Sequence, residues 1–206
     1  MTNIKFIYFD AGDVLFFGLT DDTLWVNFLA EINITEDLLT KFNNLYDNYE
    51  PLFNVGAISV LEFQKIVEKE LNYKFPQNYD LQEEMIKKFK PNYDMHKFVK
   101  TIAKKYRIGL LTNMYLNMLD EIIKNKLIPD MKWDVIIDSS VVHMAKPNNN
   151  IYKYAEEQAN EPASTILFID NSKKNIEAAK ALDWNTFLFD QYNPKESLNK
   201  LRLLLQ

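Results

Sequence analysis

The chain has 206 residues, 47% of them hydrophobic, a formal net charge of -5 and no cysteine. That is enough length and apolar content for one sizeable domain, with or without an insertion, and too much apolar content for a disordered chain. The mixed, slightly acidic charge disfavours a nucleic-acid or anionic-membrane surface as the main partner, and the lack of cysteine excludes disulfides, thiolate catalysis and thiolate metal sites.

The first ordered stretch is Lys5 to Phe17, KFIYFDAGDVLFF. Phe6 to Phe9 form the short apolar run of a buried parallel strand, and Asp10 follows at once. Ala11 and Gly12 are small enough for the backbone to turn sharply and approach a ligand. An aspartate at the carboxyl end of a central strand lies where open α/β sheets bind ligands, although a lone aspartate there is more often a turn or cap residue. Phe16 to Thr20 read as a short connection.

From about Asp21 to about Lys90 the periodicity is helical and no strand is expected. Leu24, Trp25, Phe28, Leu29 and Ile32 recur at helical spacing, as do Leu38, Leu39, Phe42, Leu45, Tyr46 and Tyr49, until Pro51 is expected to stop that helix. Ser59 and Glu62 make a capping box for a third helix, with Leu61, Ile66, Val67 and Leu71 to one side. A fourth helix, around Leu81 to Phe89, ends before Pro91. The aromatic residues of this segment, such as Tyr46, Tyr49 and Phe53, are expected mainly to build its core.

Beyond Pro91 helices and strands alternate. Helices are expected at Met95–Tyr106, Tyr115–Leu127, Asn148–Asn160 and Lys173–Leu182, and strands at Arg107–Thr112, Trp133–Asp138, Thr165–Asp170 and Asn185–Asp190. A last helix takes Asn193 as N-cap, Pro194 in its first turn and Glu196 as capping partner. This alternation implies an α/β fold, a doubly wound parallel sheet with right-handed crossovers, carrying a helical insertion after its first strand.

Several function classes fall away. The four glycines, Gly12, Gly18, Gly56 and Gly109, do not cluster, so neither a dinucleotide fingerprint nor a P-loop is present. His96 and His143 are the only histidines, which excludes a multi-histidine metal centre, and both are expected on the surface or in loops. Lys5 and Asp10 interrupt any signal-peptide core and no run is long enough to cross a bilayer, so a cytoplasmic protein is expected.

The residues at the strand ends carry the chemistry. The strands end in Asp10, in Thr112-Asn113 and in Asp170-Asn171, with Lys146-Pro147 between the last two. In a parallel sheet these converge on one rim. They supply a nucleophile, donors for phosphoryl oxygens and a cation against accumulating charge, which are the needs of phosphoryl transfer.

These pieces, FDAGDVLF, LLTN, MAKPNNNIYKYA and FIDNSKKNIEAA, occur in the order found in the haloacid dehalogenase-like hydrolase superfamily, and the chain resembles a member of it. The resemblance implies a Rossmann-like core domain at 1–18 and 91–206 and a helical C1-type cap domain at 19–90. It implies that Asp10 is the nucleophile that forms an aspartyl-phosphate, and that Thr112 and the Asn113 backbone bind the phosphoryl group. Lys146 would neutralise charge and bind substrate, and Asp170 would orient Lys146 or a metal-bound water. Magnesium would be held, weakly, by Asp10, the Gly12 carbonyl, Asp170 and Asn171.

Two positions depart from the family pattern. Gly12 stands where most family phosphatases carry a general-acid aspartate, as it does in some sugar-phosphate phosphatases, with Asp13 as the nearest substitute. Asn171 stands where a magnesium-ligating aspartate is usual, and with Ser172 it is also placed to cap the following helix. The resemblance therefore implies a phosphatase of a small phosphorylated metabolite, with no nucleic-acid or membrane partner. The alternatives are a metal-independent 2-haloacid dehalogenase, or a catalytically weak binding or regulatory protein on the same scaffold. Neither substrate identity nor oligomeric state is readable from the residues.

Overall fold

The structure, a computed structural model, describes residues 3–19 and 21–205. Its centre is a five-stranded sheet in the order β5-β4-β1-β6-β7, every neighbouring pair parallel: β1 Phe6–Phe9, β4 Arg107–Thr112, β5 Val135–Asp138, β6 Ile166–Asp170 and β7 Asn185–Leu188. β1 lies between β4 and β6, with Phe9 opposite both Leu110 and Ile169. Being central, it is buried on both faces, which is why its sequence is apolar without alternation.

Its residues nevertheless divide by parity. Ile7 and Phe9, with Ile108, Leu110, Leu167 and Ile169, face α5 (Tyr93–Ile102), α6 (Met118–Lys124) and α10 (Pro194–Leu204). Phe6 and Tyr8 face α8 (Asn149–Ala159) and α9 (Lys173–Lys180). Tyr8 donates its hydroxyl to the Ala155 carbonyl at 2.7 Å and stacks on buried Trp184 at 5.7 Å. Its ring lies over Gly109 of the neighbouring strand, where a Cβ would approach within 2.6 Å; only glycine leaves room.

The insertion holds α1 (Asp22–Ala30), α2 (Glu36–Phe53), α3 (Val60–Glu70) and α4 (Leu81–Lys88), with a hydrophobic cluster of its own built on Phe28, Phe42, Phe53 and Phe63. α3 begins at the expected capping box, Ser59 with Glu62. Pro51 does not stop α2. It lies in the last turn, and the helix continues until Phe53 has been delivered to the core. On α3, Leu61 points outward at 53% exposure; Val60, Phe63 and Gln64 take the inner face with Val67.

The segment expected to be strand-free ends in one. β3, Lys90–Pro91, pairs antiparallel with β2, Phe16–Phe17, and the Phe16 and Phe89 rings stack beside it at 5.1 Å. The chain thus leaves and re-enters the sheet layer through one short ribbon. Thr20, the end of the expected connection, lies outside the described residues.

Other expected bounds shift. Asn117, at φ 62, delays α6 to Met118, and β5, β6 and β7 are each shorter than expected at one end. Asn193 holds the N-cap position of α10 with no side-chain cap bond; its amide bonds Asp190 at 2.8 Å, and Glu196 pairs with Lys200 rather than capping. His96 is not on the surface. It is buried on α5, its Nε2 between the Leu15 and Leu127 carbonyls at 2.8 and 3.1 Å, and desolvation holds its pKa below the usual imidazole value. No described helix is long and apolar enough to cross a membrane.

Candidate active site

Parallel register brings three strand ends to one rim, and each ends in a polar side chain. Asp10 follows β1, Thr112 closes β4 and Asp170 closes β6. Lys146 comes from the loop before α8 and reaches both carboxylates, 3.0 Å from Asp10 Oδ1 and 2.7 Å from Asp170 Oδ2. The three are buried, at 9, 4 and 0% exposure for Asp10, Lys146 and Asp170. Two carboxylates around one ammonium leave a buried unit with excess negative charge, a costly arrangement unless each group is well bonded.

The bonding is thorough. Asp170 accepts from the Ser172 N–H at 2.6 Å and from the Asn175 amide at 3.0 and 3.2 Å. Asp10 Oδ1 accepts from the Ala11 N–H at 2.8 Å. Asn113 clamps the Lys146 backbone from both sides, donating to its carbonyl at 3.0 Å and accepting from its N–H at 2.9 Å. The Lys146 ammonium also lies 5.2 Å from the centre of the Phe168 ring. Burial pushes the Asp10 carboxyl up to about 7; Lys146 pulls the other way and Asp170 adds to the rise. The Lys146 ammonium is desolvated too, but the two carboxylates outweigh that and raise its pKa.

The Thr112 hydroxyl is the one side-chain polar atom among the described residues that is buried with no hydrogen-bond partner. A buried orphan hydroxyl at the end of β4, the strand next to β1, calls for a ligand atom.

The turn after Asp10 differs from expectation. The positive φ falls on Asp13, at 56°, and Gly12 needs no unusual conformation; a Cβ there would meet nothing within 4 Å. Asp13 is buried and accepts from the Gly18 N–H at 3.0 Å, so its carboxylate helps organise the loop that leads into β2. Asn171 and Ser172 make no side-chain cap for α9: Asn171 donates to the Gln191 side chain, and Ser172 uses its backbone on Asp170.

As donors for a hard cation the rim offers only oxygens: the Asp10 and Asp170 carboxylates, the Gly12 carbonyl and the Asn171 amide oxygen. These suit magnesium in kind. They suit it weakly in charge, because Asp170 is already engaged by Lys146 and Asn175, and no group of three acidic, histidine or cysteine side chains gathers among the described residues.

Asp10, Gly12, Asn113 and Asn171 open onto a cavity of about 660 Å³ whose opposite wall comes from α1 and α2. There Trp25 donates its indole N–H to Asn43 at 2.9 Å, and the Tyr46 hydroxyl meets the Tyr115 hydroxyl of the β4–α6 loop at 2.5 Å. Burial raises both tyrosine pKa values, so both stay protonated at neutral pH. His143 is exposed and takes the Val55 carbonyl at 2.9 Å, holding the α2–α3 loop to the core near Ser140.

Several of these residues escaped the sequence reading. Asn175 sits five residues after Asp170, in the first turn of α9, and that spacing was a usable signal. Tyr115, Gln191 and the clamp by the Asn113 side chain had none, since their partners are remote in sequence.

No curated protein matches the chain. The sequence profile of the haloacid dehalogenase-like hydrolases matches residues 4–183. Among solved structures the chain is similar to a HAD family enzyme from Bacteroides thetaiotaomicron, at 20% identity and TM-score 0.77 over 92% of this chain and 95% of that one. It is similar to a predicted HAD-like family hydrolase from Porphyromonas gingivalis, at 18% identity and TM-score 0.77 over 97% and 98%. An L-2-haloacid dehalogenase from Xanthobacter autotrophicus, with chloropropionic acid covalently bound, matches at 17% identity and TM-score 0.63 over 89% and 76%. With its profile match spanning residues 4–183, this chain belongs to the haloacid dehalogenase-like hydrolase family.

Proposed function

We propose that the protein is a magnesium-assisted phosphatase of a small phosphorylated metabolite, with a core of residues 1–18 and 91–206 and a cap of residues 19–90 over the cavity. The observation that carries this reading is the Asp10–Lys146–Asp170 cluster beside the orphaned Thr112 hydroxyl. A carboxylate nucleophile, a buried cation and an unspent donor together match what an incoming phosphoryl group requires. A solved relative in complex with magnesium and inorganic phosphate, at 19% identity, lends support.

In this reading a carboxylate oxygen of Asp10 attacks phosphorus, the bond to the leaving oxygen breaks, and water then hydrolyses the aspartyl-phosphate. Lys146 offsets charge on the Asp10 side, Asp170 and Asn175 hold Lys146 in place, and Thr112 donates to a phosphoryl oxygen. Asp10, the Gly12 carbonyl and Asn171 would hold magnesium, with Asp170 behind a bound water. When bound, the metal would reduce the repulsion between carboxylate and phosphoryl oxygens. Gly12 supplies no proton to the leaving group, and lack of a positioned acid typically costs ~100- to 10,000-fold. Esters with good leaving groups suffer least.

The test is a panel of phosphorylated metabolites assayed with and without magnesium, for the parent and for Asp10→Asn. Turnover should need magnesium and vanish in the variant; activity that survives the substitution rejects Asp10 as nucleophile. Asn171→Asp should tighten magnesium binding measured by calorimetry, and unchanged affinity removes Asn171 from the metal shell.

One observation favours a second reading. The uncharged Asn171 suits a 2-haloacid dehalogenase, in which Asp10 would attack carbon and release halide without metal. Chloride release from 2-chloropropionate in the presence of a chelator would establish that reaction in place of the first.

A further inference from the structure

We infer that the cavity selects phosphate esters whose leaving group carries a positive charge, such as phosphorylated amino alcohols, and turns away esters bearing a second anion. This rests on the phosphatase reading above and adds the class of substrate.

The cavity is electrically one-sided. The cation at its catalytic end, Lys146, is taken up by two carboxylates. On the opposite wall stand Asp22, in the first turn of α1, and Asp47 and Glu50, one turn apart on α2. No lysine, arginine or histidine lines the cavity among the described residues, and none of these three acids enters an ion pair there. Carboxylates at i and i+3 on a helix repel. The Glu50 carboxyl registers this: desolvation raises its pKa first and Asp47 raises it further, with Lys174 of α9 acting in the opposite sense. A ligand cation near Asp47 and Glu50 would relieve that repulsion, and a ligand anion would add to it.

The aromatic part of the wall points the same way. The Trp25 and Tyr46 rings lie 5.1 Å apart beside the acids. The indole N–H is spent on Asn43, and Tyr46 shares a single hydrogen bond with Tyr115. Besides the donors that the Asn43 amide and the tyrosine pair retain, this wall offers a ligand carboxylate oxygens and aromatic rings, the two groups that hold organic cations. The volume of about 660 Å³ suits a small ester.

The experiment uses the full chain with magnesium and compares kcat/KM for phosphocholine and phosphoethanolamine, for glycerol phosphate, and for 3-phosphoglycerate, with p-nitrophenyl phosphate as a reference for turnover itself. The cationic esters should exceed the uncharged one by about tenfold and the doubly anionic one should fall about tenfold below it, the scale of one ring contact plus exposed charge pairs. The double variant Asp47→Asn/Glu50→Gln, with its fold checked by circular dichroism, should collapse both ratios toward one. An uncharged ester turned over as well as the cationic ones, or ratios unmoved in the variant, overturns the inference. Should no ester be hydrolysed, p-nitrophenyl phosphate included, the phosphatase reading fails by itself. Calorimetric titration with phosphocholine and glycerol phosphate then decides the wall: tighter phosphocholine binding that is lost in the double variant upholds it, and equal or absent binding rejects it.

Discussion

The two walls of the cavity are built by opposite means. On the sheet side, Asp10 and Asp170, at the ends of β1 and β6, are buried and bonded through Lys146, and backbone register places the buried Thr112 hydroxyl at the end of β4 between β1 and β5. On the helical side, aromatic rings pack against one another, and the carboxylates they carry toward the cavity are left exposed. The first construction tolerates little change, because each group is neutralised by the next. The second tolerates change in the exposed acids while resisting it in the rings beneath. A fold of this kind can keep its chemistry and vary its selectivity.

Removing Lys146 should have the largest effect. Lys146→Ala leaves Asp10 and Asp170 facing each other unneutralised, so the fold should lose about 3–5 kcal/mol in urea denaturation. Turnover in the proposed phosphatase reaction should fall about 100- to 1,000-fold, the usual cost of one charge-stabilising donor. A stable, active variant would mean that the sheet wall is less tightly coupled than its geometry indicates.

The pH response separates chemistry from stability at the same residue. Folding holds the Asp10 pKa near 7 against an ordinary carboxylate value of 3.8, so the native state binds more protons than the unfolded one between those values. This group's contribution therefore makes stability fall as pH rises through that window. Nucleophilic attack in the proposed reaction needs the ionised form, which a bound magnesium ion would favour, so with saturating magnesium kcat/KM should rise with pH and level off below about 7. Thermal melts without divalent cation, comparing the parent with Asp10→Asn, isolate the first effect, and rate profiles read the second. Parallel rather than opposed trends would contradict the assignment.

Phe63→Ala strikes only the helical side. Its ring meets those of Phe42, Tyr46, Tyr49 and Phe53 at 5.2–5.9 Å. The expected cost is about 3–5 kcal/mol of stability, with KM rising more than kcat falls. A dominant loss in kcat would show that the insertion also holds the catalytic rim in place.

The seam between the walls gives the smallest effect. Gly56 has φ 64, and a Cβ there would lie 2.3 Å from the Ser140 carbonyl oxygen. Gly56→Ala should cost about 1–3 kcal/mol through strain and displace the α2–α3 loop, raising KM. An unchanged melting temperature would show that this contact yields freely.

How much of this was legible in the residues follows from the range of each interaction. The apolar run Phe6–Phe9 marked the central strand because a strand covered on both faces has no polar side to show. Ser59 with Glu62 marked the start of α3 because a capping box closes within four residues. Pro51 misled, since a proline in a last turn forfeits little while Phe53 gains burial beyond it. His96 misled as well, because the carbonyls that hold it, on Leu15 and Leu127, are remote in sequence. The ribbon of β2 and β3 was invisible for the same reason: two residues carry no periodicity, and their pairing partner lies beyond the whole insertion.

The residues by themselves determined the alternation of strands and helices, the interruption after β1, and the polar side chains at the strand ends. Periodicity, capping and strand-end chemistry are local properties, written in neighbouring positions. Only the tertiary structure decided that Lys146 reaches both Asp10 and Asp170, that Asn113 and Asn175 brace them, that Thr112 keeps an unspent hydroxyl, and that the facing wall is acidic and aromatic. Those are facts of distance between segments far apart in the chain, and distance is settled by packing.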